Sequence, residues 1–338
     1  MKELQDIRNI LVIDLAFIGD IILATPVTRA LKEKYPNAKL TMLVVPLTKS
    51  VAEMNPYVDE VLVYDKRGVD AGPFGMLHMS NQLKSYHFDL AVSMNFALRG
   101  AIVARLAGIP NRLGYDAQHA GFFLNIIASS QREGIKHETL NHLEVLKPLG
   151  FSTEDSSLKL VPPEAVYETL SAKLKERHIP GKGVLAICPF GSYERKDLPQ
   201  AAAAHVIRHY AERRPVVLIG GPAERPRLEA LAELAGLPKN NILGGDLNLQ
   251  ELAAFLKNAD CLLTADTGPL HIAQGVGCRT VAVFGPTDPK VWGPRGKEDV
   301  VLHHPYPCTP CWGKGECKHK NACIADTTAI EIIHAVGR

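Results

Sequence analysis

The chain has 338 residues, 46% hydrophobic and 22% charged, with a formal net charge of +2. That balance excludes a disordered chain, leaves no overall field for nucleic acid or an anionic membrane, and suits two ordinary domains. No apolar run approaches the roughly 18 residues of a membrane span. MKELQDIRNI lacks the apolar core of a secretory signal, so a cytoplasmic protein is expected.

In chain order, ILVID (10–14), LTMLVV (40–45), EVLVYD (60–65) and FDLAVSM (88–94) are short β-branched runs separated by helical patterns such as IILATPVTRALKEKY and LRGAIVARLAG. Continuous apolar strands joined by helices predict a parallel sheet covered on both faces. After the linker-like LVPPEA (160–165) the pattern restarts with GVLAICPFG (183–191), PVVLIGG (215–221), NILGG (241–245), DCLLTAD (260–266) and TVAVFGP (280–286). The expectation is an α/β protein of two Rossmann-like domains, 1–162 and 163–338, facing each other across a cleft. A final helix is expected to pack back on the first domain. Ligands of such sheets bind beyond the carboxyl ends of the strands.

Those strand ends carry the unusual residues. FIGDIILATP puts Gly19 and Asp20 where the first strand turns into a helix. The G-x-G-x-x-G spacing and the Lys-Ser/Thr phosphate loop are both missing, which removes the main support for nicotinamide binding and P-loop hydrolysis. Asp20 fits a helix N-cap or a general base toward an acceptor hydroxyl; Asp14, deeper in the strand, is the weaker candidate. Arg99, Arg105, Arg112 and Arg132 suit a phosphorylated or carboxylated acceptor, or a solvated helix surface.

In the second half, PFGSYERK brings Gly191, Ser192 and Lys196 to the sheet edge, where a lysine and a hydroxyl complement a diphosphate. GGDLNLQEL places Leu247 where a nucleobase would lie, although Asn248 also reads as a helix cap. In TADTGPLHIAQGVG (264–277), Asp266, Thr267, Gly268 and His271 open a helix whose free N–H groups and dipole make an anion site. Simple capping by Asp266 or Thr267 explains the same letters, but even a neutral His271 ring can donate one hydrogen bond there. FGPTDP (284–289) is a rigid turn that shapes a pocket or merely reverses the chain. No D-x-D pair occurs, so a metal-bridged diphosphate is not indicated and no catalytic metal is expected.

Cys188, Cys261 and Cys278 stand alone in apolar surroundings and read as core. Cys308, Cys311, Cys317 and Cys323 form C-x2-C-x5-C-x5-C, a spacing that can close a four-thiolate site for structural zinc or iron; reduced thiols and two disulfides are the alternatives. A redox role lacks its usual setting after a sheet strand.

Taken together, ILVIDLAFIGDIILATPVTRALKEKYPNAKL, PFGSYERKDLP, LTADTGPLHIAQGVGCRTVAVFGPTDP and the late cysteines resemble the glycosyltransferase family 9 heptosyltransferases of lipopolysaccharide inner-core assembly, in order from about residue 8 to 323. The resemblance implies a GT-B fold, ADP-heptose as donor on the second domain, and inverting transfer to a Kdo- or heptose-bearing lipid A acceptor on the first. It implies Asp20 as base, Ser192 and Lys196 as phosphate contacts, and Asp266, Thr267, Gly268 and His271 as the donor-sugar and diphosphate loop. Peripheral contact with the inner membrane's cytoplasmic face goes with a lipid-linked acceptor. The chain departs from the family pattern at Leu198, where a tryptophan often precedes the proline, and at Ala16 and Phe17, which replace polar residues. Transfer to a protein hydroxyl, a sugar-nucleotide epimerase of similar build and a non-catalytic nucleotide-binding protein are the competing readings; the last two would show no acceptor product.

Overall fold

Strand β1 (Asn9–Ile13) is buried along all but its first residue, as the centre of a parallel sheet must be when helices cover both faces. The computed structural model describes residues 4–131 and 134–338, which divide into two compact units, Met1–Val161 and Pro162–Arg338. Around β1, the first unit sets β2 (Lys39–Val44), β3 (Glu60–Val63), β4 (Leu90–Ser93), β5 (Asn111–Tyr115) and β6 (Ile126–Ala128) in the order β3-β2-β1-β4-β5-β6. The second unit sets β7 (Leu185–Cys188), β8 (Val216–Gly220), β9 (Ile242–Gly244), β10 (Cys261–Ala265), β11 (Thr280–Phe284) and β12 (Val300–His303) in the order β12-β11-β10-β7-β8-β9. Every pairing is parallel, which gives the two-unit α/β architecture expected from the apolar runs.

Register decides which loops become neighbours. In the first sheet Ile13 lies opposite Ser93, so Asp14 leaves the sheet beside Met94 and Asn95. In the second, Thr264 lies opposite Cys188 and Ala265 opposite Val283, so the loops after β7, β10 and β11 emerge side by side.

Each unit has its own core. Leu11, Ile13, Leu43, Tyr64 and Val103 anchor the first, and Leu185, Ile187, Leu263, Val281 and Val283 the second. The final helix, Ala329–Val336, contributes Ile332, Ala335 and Val336 to the second core. Arg279 donates to the Ala335 and Val336 carbonyls and Tyr210 to that of Ile333, satisfying the helix's last carbonyls. Among the described residues, no helix is long and apolar enough to cross a membrane.

Candidate active site

After β7 the chain folds back on itself: Leu198 N–H donates to the Pro189 carbonyl at 2.8 Å and Gly191 N–H to Asp197 Oδ1 at 2.9 Å. A Cβ on Gly191 would lie 2.3 Å from Lys196 Cβ, so this turn needs glycine. Lys196 Nζ lies 2.7 Å from Asp266 Oδ2 and 3.3 Å from the Asp266 carbonyl, with Thr287 Oγ1 donating to the same Oδ2 at 2.8 Å. The ammonium also sits 5.2 Å from the Tyr193 ring centroid. Burial, then the Asp266 charge, pushes the Tyr193 phenol up to about 12, so it stays neutral.

Asp266 therefore faces its lysine rather than an incoming anion. Its carboxylate cannot attract a diphosphate, but it fixes the lysine that can. Two donors of the ammonium point at Asp266, and a third is left for a ligand. Thr287 was legible only as part of a rigid turn, and Tyr193 as a loop residue.

Next, Thr267 takes the N-cap position of helix Gly268–Val276 in extended backbone, and its side chain makes no capping hydrogen bond. Simple capping is thus not what Asp266 and Thr267 do. Pro269, in the first turn, brings no N–H, and Leu270 N–H turns back to the Thr267 carbonyl at 3.0 Å. Gly268 keeps the helix start open to an anion. The helix ends at Gly277, whose φ of 77° lies in the left-handed region that glycine tolerates.

His271 is buried, with Nδ1 3.1 Å from Gln274 Oε1 and its ring 6.4 Å from that of Trp292. The tautomer of the ring sets whether Nε2 donates or accepts at the helix start. Ser192 is exposed on the β7 loop and Leu247 half-buried after β9. Asn248 is a cap: its Oδ1 accepts from Gln250 and Glu251 N–H at 3.0 and 2.9 Å, and Glu251 reciprocates.

The cysteines divide. Burial pushes the thiols of Cys188, Cys261 and Cys278 up to about 12, 11 and 12, as befits inert core residues. All four late cysteines are free thiols, and among the described residues no three ligand side chains converge as a metal would require. Cys317 Sγ accepts the Asn321 N–H at 3.2 Å. Cys323 is buried in helix Ala322–Ala325, close enough that a Cβ on Gly285 would lie 3.5 Å from its sulfur. Burial, then the neighbouring thiols, raises the Cys323 thiol to about 11. The expected structural zinc or iron site at Cys308, Cys311, Cys317 and Cys323 is therefore not supported by the sulfur positions among the described residues.

In the first unit Asp20 is the third residue of helix Ile18–Leu23, where its Oδ2 accepts the Phe17 N–H at 3.2 Å. It steadies the helix start from within and still lines a cavity of about 260 Å³ with Tyr115, Ser129, Ser130, Glu138 and His142. Asp14 is fully buried behind it, with Oδ1 accepting from Ala16 N–H at 3.2 Å and Oδ2 lacking a hydrogen-bond partner. Burial, then the Asp20 charge, lifts Asp14 to about 6 against the opposing effects of His142, Asn95 and the Ala16 amide. His142 Nε2 lies 3.5 Å from Glu138 Oε1. Burial pulls its pKa down, but Glu138, Asp14 and Asp20 together raise it above the ordinary value. Glu138 and His142 were missed; their i,i+4 spacing in HETLNH (137–142) was the available signal.

The arginines do not assemble as expected. Arg99 donates to Tyr64 Oη at 2.9 Å, Arg112 to the Ile109 and Phe123 carbonyls at 2.6 and 2.7 Å, and Arg105 is solvent-exposed. Arg132 lies outside the described residues. Arg99 and Arg112 are thus largely occupied with the fold.

The chain belongs to glycosyltransferase family 9 (heptosyltransferase), whose description matches residues 76–322. It is 26% identical over 290 residues to lipopolysaccharide heptosyltransferase 3 of Escherichia coli, covering 82% of this chain and 84% of that one. Its fold is that of the glycosyl transferase family 9 protein from Veillonella parvula DSM 2008, with a TM-score of 0.88 at 22% identity over 99% of this chain and 98% of that one. E. coli heptosyltransferase WaaC with ADP-2-deoxy-2-fluoro heptose shares it at a TM-score of 0.71 and 18% identity, over 97% and 99%. The protein is therefore a glycosyltransferase with the GT-B arrangement of two parallel α/β sheets.

Proposed function

We propose that this enzyme transfers heptose from ADP-heptose to a hydroxyl of a lipopolysaccharide inner-core acceptor, with inversion at the anomeric carbon. The observation that carries the donor side is the uncapped start of helix Gly268–Val276, with Lys196 fixed beside it by Asp266 and Thr287. There Lys196, Ser192, the Gly268 backbone and His271 hold the diphosphate, and Leu247 lies against the base. The lipopolysaccharide name of the E. coli relative supports the acceptor class, and the sugar-nucleotide analogue in the WaaC structure supports the donor.

On the acceptor side, Asp20 takes the hydroxyl proton as that oxygen bonds to the anomeric carbon. The bond from that carbon to the diphosphate oxygen breaks, and its electron pair leaves with ADP. Lys196 and the helix N-terminus stabilise the charge that grows on the departing phosphate. The reading places the enzyme in the cytoplasm, working on a lipid-borne acceptor at the inner membrane face. Incubation with ADP-heptose and a series of truncated lipopolysaccharide acceptors, read by mass spectrometry, tests it. One acceptor should gain a single heptose. Donor conversion without any acceptor product, or labelling of a protein alone, would overturn the reading.

A further inference from the structure

We propose that residues 311–313 of the late cysteine segment brace the donor site, with Gly313, Tyr193 and Arg195 as positioning residues that hold the Lys196–Asp266 pair where a diphosphate meets it. The proposal rests on Lys196 binding that diphosphate.

The segment touches both loops that steady the pair. On one side, the N–H groups of Cys311 and Trp312 donate to the same carbonyl, that of Pro286 after β11, at 3.0 and 2.9 Å. The next residue, Thr287, is the one that donates to Asp266 Oδ2. On the other side, Arg195 Nη1 donates to the Gly313 carbonyl at 3.1 Å, and the next residue is Lys196. Tyr193 fills the gap between: a Cβ on Gly313 would lie 2.5 Å from its ring Cε2, and Lys196 Nζ sits 5.2 Å from the ring centroid. The contacts close a circuit from Pro286–Thr287 through Asp266, Lys196, Tyr193 and Gly313 back to Pro286.

Details of the circuit favour positioning over plain packing. Tyr193 Oη is buried without a hydrogen-bond partner, so the wedge works through its ring, whose face attracts the ammonium. Gly313 lies at φ 68°, where a side chain would be strained as well as crowded, and Trp312 beside it holds φ 57°, a conformation bulky residues avoid. Their neighbours therefore fix this stretch of backbone. Shifting it would carry the ring, and the ammonium with it, away from the diphosphate, and displacements of about 1 Å at such a site are costly.

The test compares the wild type with Gly313→Ala, Tyr193→Ala, Tyr193→Phe and Arg195→Met. Calorimetry gives ADP affinity and Tm, and initial rates give KM for donor and acceptor separately. Gly313→Ala and Tyr193→Ala should weaken ADP binding and raise the donor KM about tenfold, within what such a displacement costs, with the acceptor KM unmoved. Tyr193→Phe keeps the ring and should keep the ADP affinity. Arg195→Met should shift donor KM in the same direction as Gly313→Ala, and it carries the test if Gly313→Ala does not fold. Folded variants with a lowered Tm but wild-type ADP affinity and donor KM would overturn the proposal, since the segment would then only hold the fold; so would a loss in Tyr193→Phe equal to that in Tyr193→Ala. Failure of the wild type itself to bind ADP would overturn the underlying reading as well.

Discussion

Replacing Lys196 by alanine removes the ammonium 2.7 Å from Asp266 Oδ2 in a pair whose side chains are 13% and 8% exposed. Breaking a buried pair from one side costs about 3–5 kcal/mol, because the other charge is left in low dielectric. Here Thr287 still donates to Asp266, so the lower end, about 3 kcal/mol, is expected. At roughly 2–4 °C per kcal/mol for a domain of this size, the transition should fall by roughly 6–12 °C. Scanning calorimetry with ADP titration reads both consequences: a lower Tm and ADP affinity weakened at least tenfold. Asp266→Asn should also destabilise, and Lys196→Met with Asp266→Asn should cost less than the two singles summed, since neither charge is then stranded. A Lys196→Ala protein melting within a degree of the wild type, or strictly additive costs, would refute the claim that Asp266 anchors the lysine.

Asp20→Ala should keep ADP affinity and lose transfer, measured by calorimetry and product mass; full turnover would remove Asp20 as the base. Gly191→Ala should lose about 1–3 kcal/mol and weaken ADP binding, because its Cβ would meet Lys196 Cβ at 2.3 Å; an unchanged melt would contradict that packing. Elemental analysis of the purified protein should find zinc and iron well below one per chain, with no Tm change on chelation. One tightly held ion per chain would contradict the sulfur positions described here.

Much of the fold was legible because β1, β2, β4, β7, β8, β10 and β11 are continuous apolar runs, which only a doubly covered parallel sheet explains. β5, with the sequence NRLGY, β6, three residues long, and β12, half-buried throughout, went unread. Each is too short or too mixed to show a period. At the site, the letters D-T-G marked the start of helix Gly268–Val276, but only the folded chain shows Asp266 turned onto Lys196 and Thr287. HETLNH reads as a polar helix face, and tertiary burial alone makes Glu138 and His142 part of a charged cluster. Counting arginines could not show that Arg112 binds loop carbonyls, nor could cysteine spacing fix where each sulfur points.

The central claim is inverting heptosyl transfer, and the anomeric configuration of the product against that of the donor tests it most directly. Nuclear magnetic resonance of the purified acceptor product, with ADP release counted in the same reaction, gives both quantities. The account predicts opposite configuration at the transferred carbon and one ADP per heptosylated acceptor. Retained configuration, or ADP released without glycosylated acceptor, would contradict it.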